Sequence, residues 1–326
     1  MRTFAAVPPA SLDWSAAGAR KKNLAVDPTV LDELTRMAPG AAFVDEPMAR
    51  HTSLGLGGPA DVFVEPRDPS TFRACSDFLT SAGVPVTLLG RGTNVLVRSG
   101  GVEGAVLTPA RAFTTLEREG TVARAGGGVG LPRFLAFCAD EGLGGLEGLS
   151  GIPGSTGGAV ATNAGSFGVW LSDVLSGVRV SRPGGSSTYV PRDEIEMGYR
   201  RCELPEGTIV EEIEVGLTEA DPEDIRARQT ETLEKKWKTQ PNGMRSAGCV
   251  FTNPPGEAAG RLIDAAGLKG TRVGGAVVSD LHANFILNDR GGTSEDVEEL
   301  IEIVRERVAE EAGVTLSLEI QIIGRG

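Results

Sequence analysis

The residues that build metal sites, disulfide frameworks and membrane spans are scarce in this sequence. The four cysteines, Cys75, Cys138, Cys202 and Cys249, are widely spaced and form no Cys-x-x-Cys pair. This spacing argues against a zinc site and a disulfide framework, and it favours a reducing, cytoplasmic location. No apolar run is long enough to span a bilayer, and the N-terminal residues lack the unbroken apolar core of a signal peptide. We therefore expect no bound metal.

Positive charge is also in short supply. The chain of 326 residues carries 32 Lys and Arg against 44 Asp and Glu, a net charge of −12 at pH 7. A basic surface for nucleic acid is therefore not expected, and an anionic membrane would repel the protein. We expect a small-molecule partner, which a few local Arg and Lys side chains can bind even if it is anionic. The sequence carries no signal for an oligomeric state.

Aromatic residues make up only 5% of the chain, whereas glycine is abundant, with 45 residues. Two glycine-rich loops stand out, LLGRGTNVLV at residues 88–97 and GLSGIPGSTGGAVATNAGSFG at residues 148–168. Backbone N–H groups in such loops can form concave sites for phosphate oxygens. Plain turns in a β-rich domain would have the same pattern, so both interpretations are open. Neither loop matches the P-loop or the Rossmann Gly-x-Gly-x-x-Gly signature.

Short β-like runs alternate with helical segments between residues 54 and 217, which predicts an α+β or α/β domain. The predicted strands lie in ADVFVEP, VPVTLLG, NVLVRSGG, GAVLTPA, TVARAGGG, GVRVSR and TIVEEIEVGL, and the predicted helices in DPSTFRACSDFLTSAG and LPRFLAFCADEG. Asp27 and Pro28 predict the start of an earlier helix, after an irregular segment at residues 1–26. Asp221 and Pro222 predict a charged helix at the boundary between two halves.

The C-terminal half contains a helix in GEAAGRLIDAAG, a strand in HANFILN and a long amphipathic helix in TSEDVEELIEIVRERVAEEAG. Ser294 is the predicted cap of the long helix. Its predicted buried stripe consists of Val297, Leu300, Ile301, Val304 and Val308. The alternation in VTLSLEIQIIG predicts a final strand with Val314, Leu316, Leu318, Ile320 and Ile322 on one face. The opposite, polar face carries Glu319.

Six segments occur in an order that resembles one enzyme family. They are HTSLGLGGPADVFVEP, LGRGTNVLVRSGGVEGAV, GLEGLSGIPGSTGGAVATNAGSFG, MGYRRC, RSAGCVFTNPPGEAAGRLIDAAGLKG and SDLHANFILN. Together they are similar to the UDP-N-acetylenolpyruvoylglucosamine reductases, the flavoenzymes of peptidoglycan precursor synthesis. The resemblance implies an α+β protein that contains an FAD-binding domain of the vanillyl-alcohol-oxidase type and an α+β substrate-binding domain. We predict an N-terminal extension with a lead-in helix at 1–50 and these two domains at 51–218 and 219–326.

The resemblance also implies the reaction. Members of the family transfer a hydride from NADPH to FAD and then reduce UDP-N-acetylglucosamine enolpyruvate to UDP-N-acetylmuramate, which links them to cell-wall biogenesis, cell shape and cell division. Only one helix lies between Arg200 and Ser246, so the chain resembles the shorter type that lacks a tyrosine-bearing loop.

The implied site residues fall into three groups. The FAD-binding residues are Gly90, Arg91, Gly92, Thr93 and Asn94 in the first loop and Gly151, Ile152, Pro153, Gly154, Ser155, Gly157, Gly158, Asn163, Ala164 and Gly165 in the second. The catalytic residues are Arg200, Cys249 and Glu319, and the substrate-binding residues are Tyr199, Arg200, Lys238 and Asn253. Cys249 occupies the proton-donor position, where the family most often has Ser. Thr252 replaces a common Lys, and Arg245 a frequent Pro.

Considered without the resemblance, these residues keep simpler interpretations. Cys249 could be a small buried apolar residue, or a nucleophile if His51 or His282 lay beside it. Arg200 could be a solvated arginine, and Glu319 a solvent-facing carboxylate. Alternative functions are a paralogue that reduces another enolpyruvyl or unsaturated nucleotide-linked acid in specialised metabolism, an FAD-dependent oxidase, or a flavin-binding protein without activity. Arg200 and Glu319 disfavour the last, because a mere binder needs neither.

Overall fold

The structure, a computed structural model, describes residues 26–326 of the chain. The expected irregular segment at residues 1–26 therefore lies outside the described residues, except for residue 26. The helices are α1 (Pro28–Met37), α2 (Pro69–Ser81), α3 (Leu131–Asp140), α4 (Thr156–Ala161), α5 (Leu171–Val174), α6 (Pro222–Thr239), α7 (Ala259–Ala265) and α8 (Ser294–Ala312). Every helix predicted from the sequence is confirmed. At α1, for example, the Asp27 carboxylate accepts a hydrogen bond from the Thr29 amide at 2.8 Å.

Most strands lie in the first two thirds of the chain. They are β1 (Ala42–Pro47), β2 (Pro59–Val64), β3 (Val86–Leu88), β4 (Val95–Val97), β5 (Val102–Leu107), β6 (Leu116–Glu119), β7 (Val122–Gly126), β8 (Leu143–Gly144), β9 (Gly165–Ser166), β10 (Val169–Trp170), β11 (Leu175–Ser181), β12 (Thr188–Pro191), β13 (Glu196–Gly198), β14 (Arg201–Glu203), β15 (Ile209–Gly216) and β16 (Thr218–Glu219). The later strands are β17 (Ser246–Cys249), β18 (Arg272–Val273), β19 (Ala276–Val278), β20 (Phe285–Asn288) and β21 (Gln321–Ile323). Each predicted β-like run contains a strand.

The first half of the chain is built on two sheets. The first has the order β1-β2-β5-β3, in which β5 runs parallel to both β2 and β3. Parallel strands need a crossover, and α2 supplies the one between β2 and β3. The second sheet, β12-β11-β15-β7-β6, is antiparallel throughout. Helices α3 and α4 contribute Phe134, Leu135 and Val160 to its core.

A half-buried ion pair links α2, which packs on the first sheet, to the second sheet. Glu211 on β15 is 2% exposed, and both of its carboxylate oxygens accept hydrogen bonds at 2.6 Å from Arg73 on α2. Ser181 and Ser187 donate to the same carboxylate. These partners outweigh the effect of burial and hold the pKa of Glu211 below its ordinary value. The Glu211 charge is therefore compensated by hydrogen bonds, and the contact connects α2 to β15.

The C-terminal half packs α7 and α8 against the antiparallel sheet β17-β20-β19-β18. All five residues of the predicted apolar stripe of α8 are buried, and burial of each such side chain contributes about 1.5–3 kcal/mol. The predicted cap is wrong by one residue. Thr293 caps α8, because its hydroxyl accepts from the Asp296 amide at 3.2 Å while Asp296 accepts from the Thr293 amide. Ser294 instead accepts a hydrogen bond from the Ser99 amide at 2.8 Å.

The final segment differs from the predicted strand. Its five apolar residues do pack against the core of the C-terminal half, but only Gln321–Ile323 form a strand, and Leu318 makes an isolated bridge to Phe251. Strand β21 pairs with β4, which belongs to the first half, in parallel register. The chain end therefore returns from the C-terminal half to the glycine loop that precedes β4. This return places the residues just before β21 at the junction of the two halves.

Candidate active site

The two glycine-rich loops meet face to face. A Cβ atom added to Gly90 would lie 3.1 Å from the Ser155 hydroxyl, and one added to Gly154 would lie 3.1 Å from the Thr93 hydroxyl. Gly92 has a φ of 59°, and a Cβ there would lie 2.0 Å from the carbonyl oxygen of His51. Glycine is therefore required at residue 92 by both its conformation and its surroundings. The predicted loop residues form one structure, although they lie far apart in sequence.

Two adjoining cavities run along these loops. The first, of about 310 Å³, is lined by residues that include His51, Leu89 and Gly90. The second, of about 580 Å³, is lined on one side by Thr93 and on the other by Pro153 and Gly154. Arg91 and Ala110 line both cavities. A long space with an exposed arginine at its middle fits a dinucleotide such as FAD, whose two aromatic ends are joined by an anionic diphosphate.

Other predicted FAD-binding residues make contacts within the fold that hold the loops in place. The Asn163 side chain donates to the Gly198 carbonyl at 2.9 Å and accepts from the Ser172 amide. A Cβ on Gly165 would lie 2.1 Å from the Trp170 ring, so Gly165 allows this indole to pack on the backbone. The remaining members also make contacts inside the fold: Ala164 is buried in the core, Ile152 packs against it, Gly157 donates to the Gly127 carbonyl, and Gly158 donates to Ser155.

Arg200 and Glu319 form an ion pair beside the second loop. Arg200 Nε lies 2.7 Å from Glu319 Oε1, and their side chains are 22% and 14% exposed. Arg200 Nη1 donates to the Gly165 carbonyl at 3.2 Å, and the guanidinium lies 5.6 Å from the centroid of the Trp170 ring. The backbone of Arg200 has a φ of 54°, an uncommon conformation for a residue other than glycine. These contacts on several sides hold the guanidinium in a defined position.

The Nε of Arg200 lies close to Glu319 without a well-aligned hydrogen bond. The Nε–H is not aimed along the short contact with Glu319, and in residues 26–326 it has no hydrogen-bond partner although it is buried. The Ser150 hydroxyl, in the second loop, is also buried and has no partner within the same range. Buried polar atoms are nearly always hydrogen-bonded in folded proteins. Water or a bound molecule would supply the missing partner of each atom.

Cys249 lies at the end of β17, where Gly248 has a φ of 81° and the pairing with β20 is irregular. The thiol is half-buried and packs against Val277, Phe285 and Leu287. Burial, together with the charge of Glu319, raises its pKa to about 12, although Arg200 and Lys236 act in the opposite direction. The thiol is therefore protonated at neutral pH.

Backbone bonds hold Glu319 next to Cys249. The Glu319 amide donates to the carbonyl of Val250 at 2.8 Å, and Asn94 of the first glycine loop donates to the Glu319 carbonyl at 3.1 Å. Burial raises the pKa of the Glu319 carboxyl, and the charge of Arg200 offsets this only in part. The structure thus brings Arg200, Cys249 and Glu319 together. None of the three lines either of the two cavities described above, and Asn94 connects the two regions.

Two of the predicted substrate-binding residues are neighbours of this trio. The Asn253 amide donates to the Tyr199 hydroxyl at 3.1 Å, and the Asn253 side chain accepts from the Ala259 amide. Tyr199 is 46% exposed and packs edge-on against Trp170. Lys238 is exposed on α6, and its contact with substrate stays a prediction. His282 interacts with its own loop and packs against Phe285.

Lys236 is the residue that the sequence analysis missed. It is 6% exposed, and its ammonium donates to the Ser150 carbonyl at 2.8 Å. Burial, and then the charge of Arg200, lower its pKa to about 8 against an opposing effect of Cys249. Helical periodicity could have found it, because Gln229, Leu233 and Lys236 share one face of α6. Gln229 donates a hydrogen bond to the Leu135 carbonyl from the same face, so this face of α6 is the one that packs against the protein.

Metal-site clusters and membrane-spanning helices are both absent from residues 26–326. No cluster of three or more His, Cys, Asp or Glu residues with the geometry of a metal site occurs in that range. Among the helices of the same range, none combines the length and apolar character that crossing a membrane requires.

Comparison with known proteins agrees with the fold. Residues 60–188 match the family model of an FAD binding domain, and residues 240–323 match that of the UDP-N-acetylenolpyruvoylglucosamine reductase C-terminal domain. The predicted fold class, an FAD-binding domain of the vanillyl-alcohol-oxidase type with a further α+β domain, is confirmed. The predicted boundaries at 50/51 and 218/219 stay predictions.

Proteins that are similar over most of the chain are named UDP-N-acetylenolpyruvoylglucosamine reductases. UDP-N-acetylenolpyruvoylglucosamine reductase of Syntrophotalea carbinolica is 42% identical over 86% of this chain and 93% of its own length. The enzyme of Geobacter sulfurreducens is 43% identical over 87% and 95%. The crystal structure of the Thermus caldophilus reductase superposes with a TM-score of 0.75 at 37% identity, covering 87% of this chain and 98% of that one. The chain therefore belongs to the UDP-N-acetylenolpyruvoylglucosamine reductase family of FAD-dependent oxidoreductases.

Proposed function

We propose that this protein reduces UDP-N-acetylglucosamine enolpyruvate to UDP-N-acetylmuramate with NADPH as the electron source and FAD as the carrier. The reaction belongs to peptidoglycan precursor synthesis, in the cytoplasm, and serves cell shape and division. The observation that carries the proposal is the convergence of Arg200, Cys249 and Glu319. They come from three distant segments, and Asn94 joins this cluster to the glycine loops.

The glycine loops would hold the cofactor. Gly90–Asn94 and Gly151–Ser155 provide backbone that a ligand can approach closely, and Arg91 stands where the two cavities adjoin. Its guanidinium suits a diphosphate. When bound, FAD would supply hydride transfer, from NADPH to the β-carbon of the enolpyruvyl group. Gly157, Gly158, Asn163, Ala164 and Gly165 act chiefly by holding the second loop and the Arg200 turn in place.

Arg200 and Glu319 would stabilise the charge that forms in the substrate. Hydride addition to the β-carbon leaves negative charge spread over C2 and the carboxylate. The guanidinium of Arg200, held by the Gly165 carbonyl and the Trp170 ring, would be a preorganised positive group for that charge. Glu319 would complete the site by holding the guanidinium of Arg200 in position. The two residues therefore act as an oxyanion site, and Tyr199 and Asn253 extend it towards the rest of the UDP-sugar, with Lys238 as a further contact.

Cys249 would protonate C2. As the new C2–H bond forms, the S–H bond breaks and leaves a thiolate beside Arg200 and Lys236. A serine hydroxyl, which the family more often has here, is a much weaker acid than a thiol, whose ordinary pKa is about 8.5. Replacement by cysteine therefore keeps the chemistry. The raised pKa serves it too, because the donor must carry its proton before each turnover.

The decisive experiment is a coupled assay on the purified holoenzyme. The protein should be yellow with bound FAD, and NADPH oxidation should begin only when UDP-N-acetylglucosamine enolpyruvate is added. Rapid NADPH oxidation without this substrate, at the expense of oxygen, would indicate an oxidase. A flavoprotein that NADPH reduces but this substrate does not reoxidise would instead be a paralogue with another acceptor. Comparing NADPH with NADH in the same assay tests the choice of electron source.

A further inference from the structure

We propose that the buried side chain of Asn284 is the positioning residue of the proton donor. It holds both backbone groups of Phe251 and thereby fixes the direction of the Cys249 thiol, two residues earlier in the chain. This inference rests on the proposed function, in which Cys249 protonates C2. It gives a role to the segment SDLHANFILN, which the reaction described above does not use.

The Asn284 side chain takes the place of a neighbouring strand beside Phe251. Its Oδ1 accepts a hydrogen bond from the Phe251 amide at 3.0 Å, and its Nδ2 donates to the Phe251 carbonyl at 2.8 Å. In an antiparallel sheet, a residue of the paired strand forms the same two bonds through its own C=O and N–H. A carboxamide carries an acceptor and a donor side by side, so asparagine suits this place. Asn284 and Phe251 are 3% and 1% exposed, so the bonds are shielded from water.

The side chain is needed because β20 begins late. The register pairs Cys249 with Phe285, the first residue of β20. The backbone carbonyl of Asn284 still accepts from the Val250 amide at 2.8 Å, and from there the Asn284 side chain continues the pairing to Phe251. Without this side chain, the buried N–H and C=O of Phe251 would lose these partners, so the segment would have to move to find others.

Regular pairing fixes Cys249 only weakly. Gly248 has a φ of 81°, and the register between β17 and β20 shifts within β17. Strand β17 ends at Cys249, so the bonds that follow the thiol decide where it lies. The Val250 amide and both backbone groups of Phe251 are bonded to Asn284. One residue therefore anchors the chain directly after the proton donor.

Asn253, further along the same segment, has contacts of its own. Its amide donates to the Tyr199 hydroxyl, and its side chain accepts from the Ala259 amide. These partners belong to the turn after β13 and to the start of α7. Loss of the Asn284 side chain should therefore leave substrate binding nearly unchanged and act on the proton transfer.

Asn288 offers a matched control on the same strand. It is 5% exposed, and its side chain also makes two hydrogen bonds: Nδ2 donates to the Leu54 carbonyl at 2.9 Å, and Oδ1 accepts from the Gly292 amide at 2.8 Å. Neither partner lies in the segment that carries Cys249. Asn284→Ala and Asn288→Ala thus lose the same number of buried hydrogen bonds and should lose similar stability in urea unfolding.

The first test measures the two half-reactions of the holoenzyme by stopped-flow absorbance. In Asn284→Ala, reduction of the flavin by NADPH should keep its wild-type rate. Reoxidation by UDP-N-acetylglucosamine enolpyruvate should slow by roughly 10²-fold, because a displacement of about 1 Å can cost that much. The substrate concentration that gives half the maximal rate should change little.

Solvent deuterium distinguishes misplacement of the donor from a general loss of packing. Reoxidation of Asn284→Ala should show a larger solvent isotope effect than that of the wild type, because proton transfer then limits the step. In Asn288→Ala the rates and the isotope effect should match those of the wild type. A wild-type rate of reoxidation in Asn284→Ala, or equal slowing in the two variants, would overturn the proposal.

A double substitution tests whether Asn284 acts through Cys249. In Cys249→Ala the donor is already missing, so adding Asn284→Ala should slow reoxidation no further. Multiplied losses would mean that Asn284 acts on another group. If Asn284→Ala does not fold, Asn284→Ser takes its place: its hydroxyl keeps a polar atom in the same space but is too short to bridge both backbone groups of Phe251. It should slow the same step.

The last readout does not depend on turnover. Alkylation of Cys249 by iodoacetamide at a single pH, followed on its peptide by mass spectrometry, reports how firmly the thiol is held. It should be faster in Asn284→Ala than in the wild type and unchanged in Asn288→Ala, with the half-buried Cys202 as the internal reference. Equal rates in Asn284→Ala and the wild type would show that the thiol does not depend on Asn284. If the substrate does not reoxidise the wild-type flavin, the proposed function fails, and the alkylation rates still decide whether Asn284 holds the thiol.

Discussion

Arg200 Nε and Glu319 Oε1 lie 2.7 Å apart, although one residue belongs to the turn after β13 and the other to the segment that precedes the last strand. The contact exists because Asn163 holds the Gly198 carbonyl on one side and Asn94 holds the Glu319 carbonyl on the other. Both asparagines belong to the glycine-rich loops. The loops therefore position the Arg200–Glu319 pair, in addition to forming the walls of the cavities.

Cys249→Ala should separate the two half-reactions. Reduction of the flavin by NADPH should be unchanged, because the thiol is not needed for it. Reoxidation by UDP-N-acetylglucosamine enolpyruvate should slow by about 10²- to 10⁴-fold, the usual contribution of a general acid. Stopped-flow absorbance of the flavin measures both steps. Cys249→Ser should retain most of the activity, and Cys202→Ala, a half-buried cysteine on β14, serves as the control. Full-rate reoxidation in Cys249→Ala would show that another group protonates C2.

Arg200→Lys should impair only the step in which charge develops on the substrate. A lysine keeps the charge but lacks the Nε–H donor and the planar group that lies against Trp170. Removing one such donor slows reactions of this kind by about 10²- to 10³-fold. The same substitution at the neighbouring Arg201, which pairs with Glu196 and Glu203 on the surface, should have no effect. A similar loss in both variants would point to a disturbed β13–β14 turn instead.

Gly92→Ala should abolish flavin binding. The new methyl group would lie 2.0 Å from the His51 carbonyl, so the first loop must move. Gly120 has almost the same φ, 60° against 59°, but has open space around its Cβ position. Gly120→Ala should therefore cost only about 1–2 kcal/mol from its left-handed backbone and should keep the flavin. The ratio of flavin to protein absorbance and urea unfolding of both variants test this difference. Equal behaviour would mean that the first loop adapts readily.

Lys236→Met should change how stability depends on pH. In the folded protein the pKa of Lys236 is about 8, whereas in the unfolded chain it returns to its ordinary value near 10.5. Between these values the unfolded chain binds more protons, so the stability of the wild type rises with pH across this window. The variant lacks this rise. From pH 8 to 10.5, the unfolding free energy of the wild type minus that of the variant should therefore increase by up to about 3 kcal/mol.

Urea titrations at several pH values measure this difference. Lys238→Met should give a curve parallel to that of the wild type, because Lys238 is exposed. If the curve of Lys236→Met also ran parallel to that of the wild type, burial would not lower the pKa of Lys236 in solution.

The sequence alone predicted the local structure well. Asp27 and Pro28 marked the start of α1, Asp221 and Pro222 that of α6, and apolar spacing gave the buried stripe of α8. These signals are short-range, because capping and helical periodicity involve residues within a few positions of one another. The cap of α8 was misassigned from Thr293 to Ser294. The two hydroxyl residues are adjacent in sequence. The Ser294 hydroxyl accepts its hydrogen bond from the Ser99 amide, which is far away in sequence, whereas Thr293 accepts from Asp296.

The sequence by itself determined the helices, most of the strands, the two glycine loops and, through ordered motifs, the candidate catalytic residues. Only the tertiary structure decided which of the polar residues meet. Glu319 lies on what the sequence shows as a polar face, and it is buried because β21 pairs with β4 and because Val250 accepts its amide hydrogen bond. Lys236 and Lys238 look alike in sequence, yet only Lys236 faces the second loop. Such contacts depend on long-range packing, which no local pattern encodes.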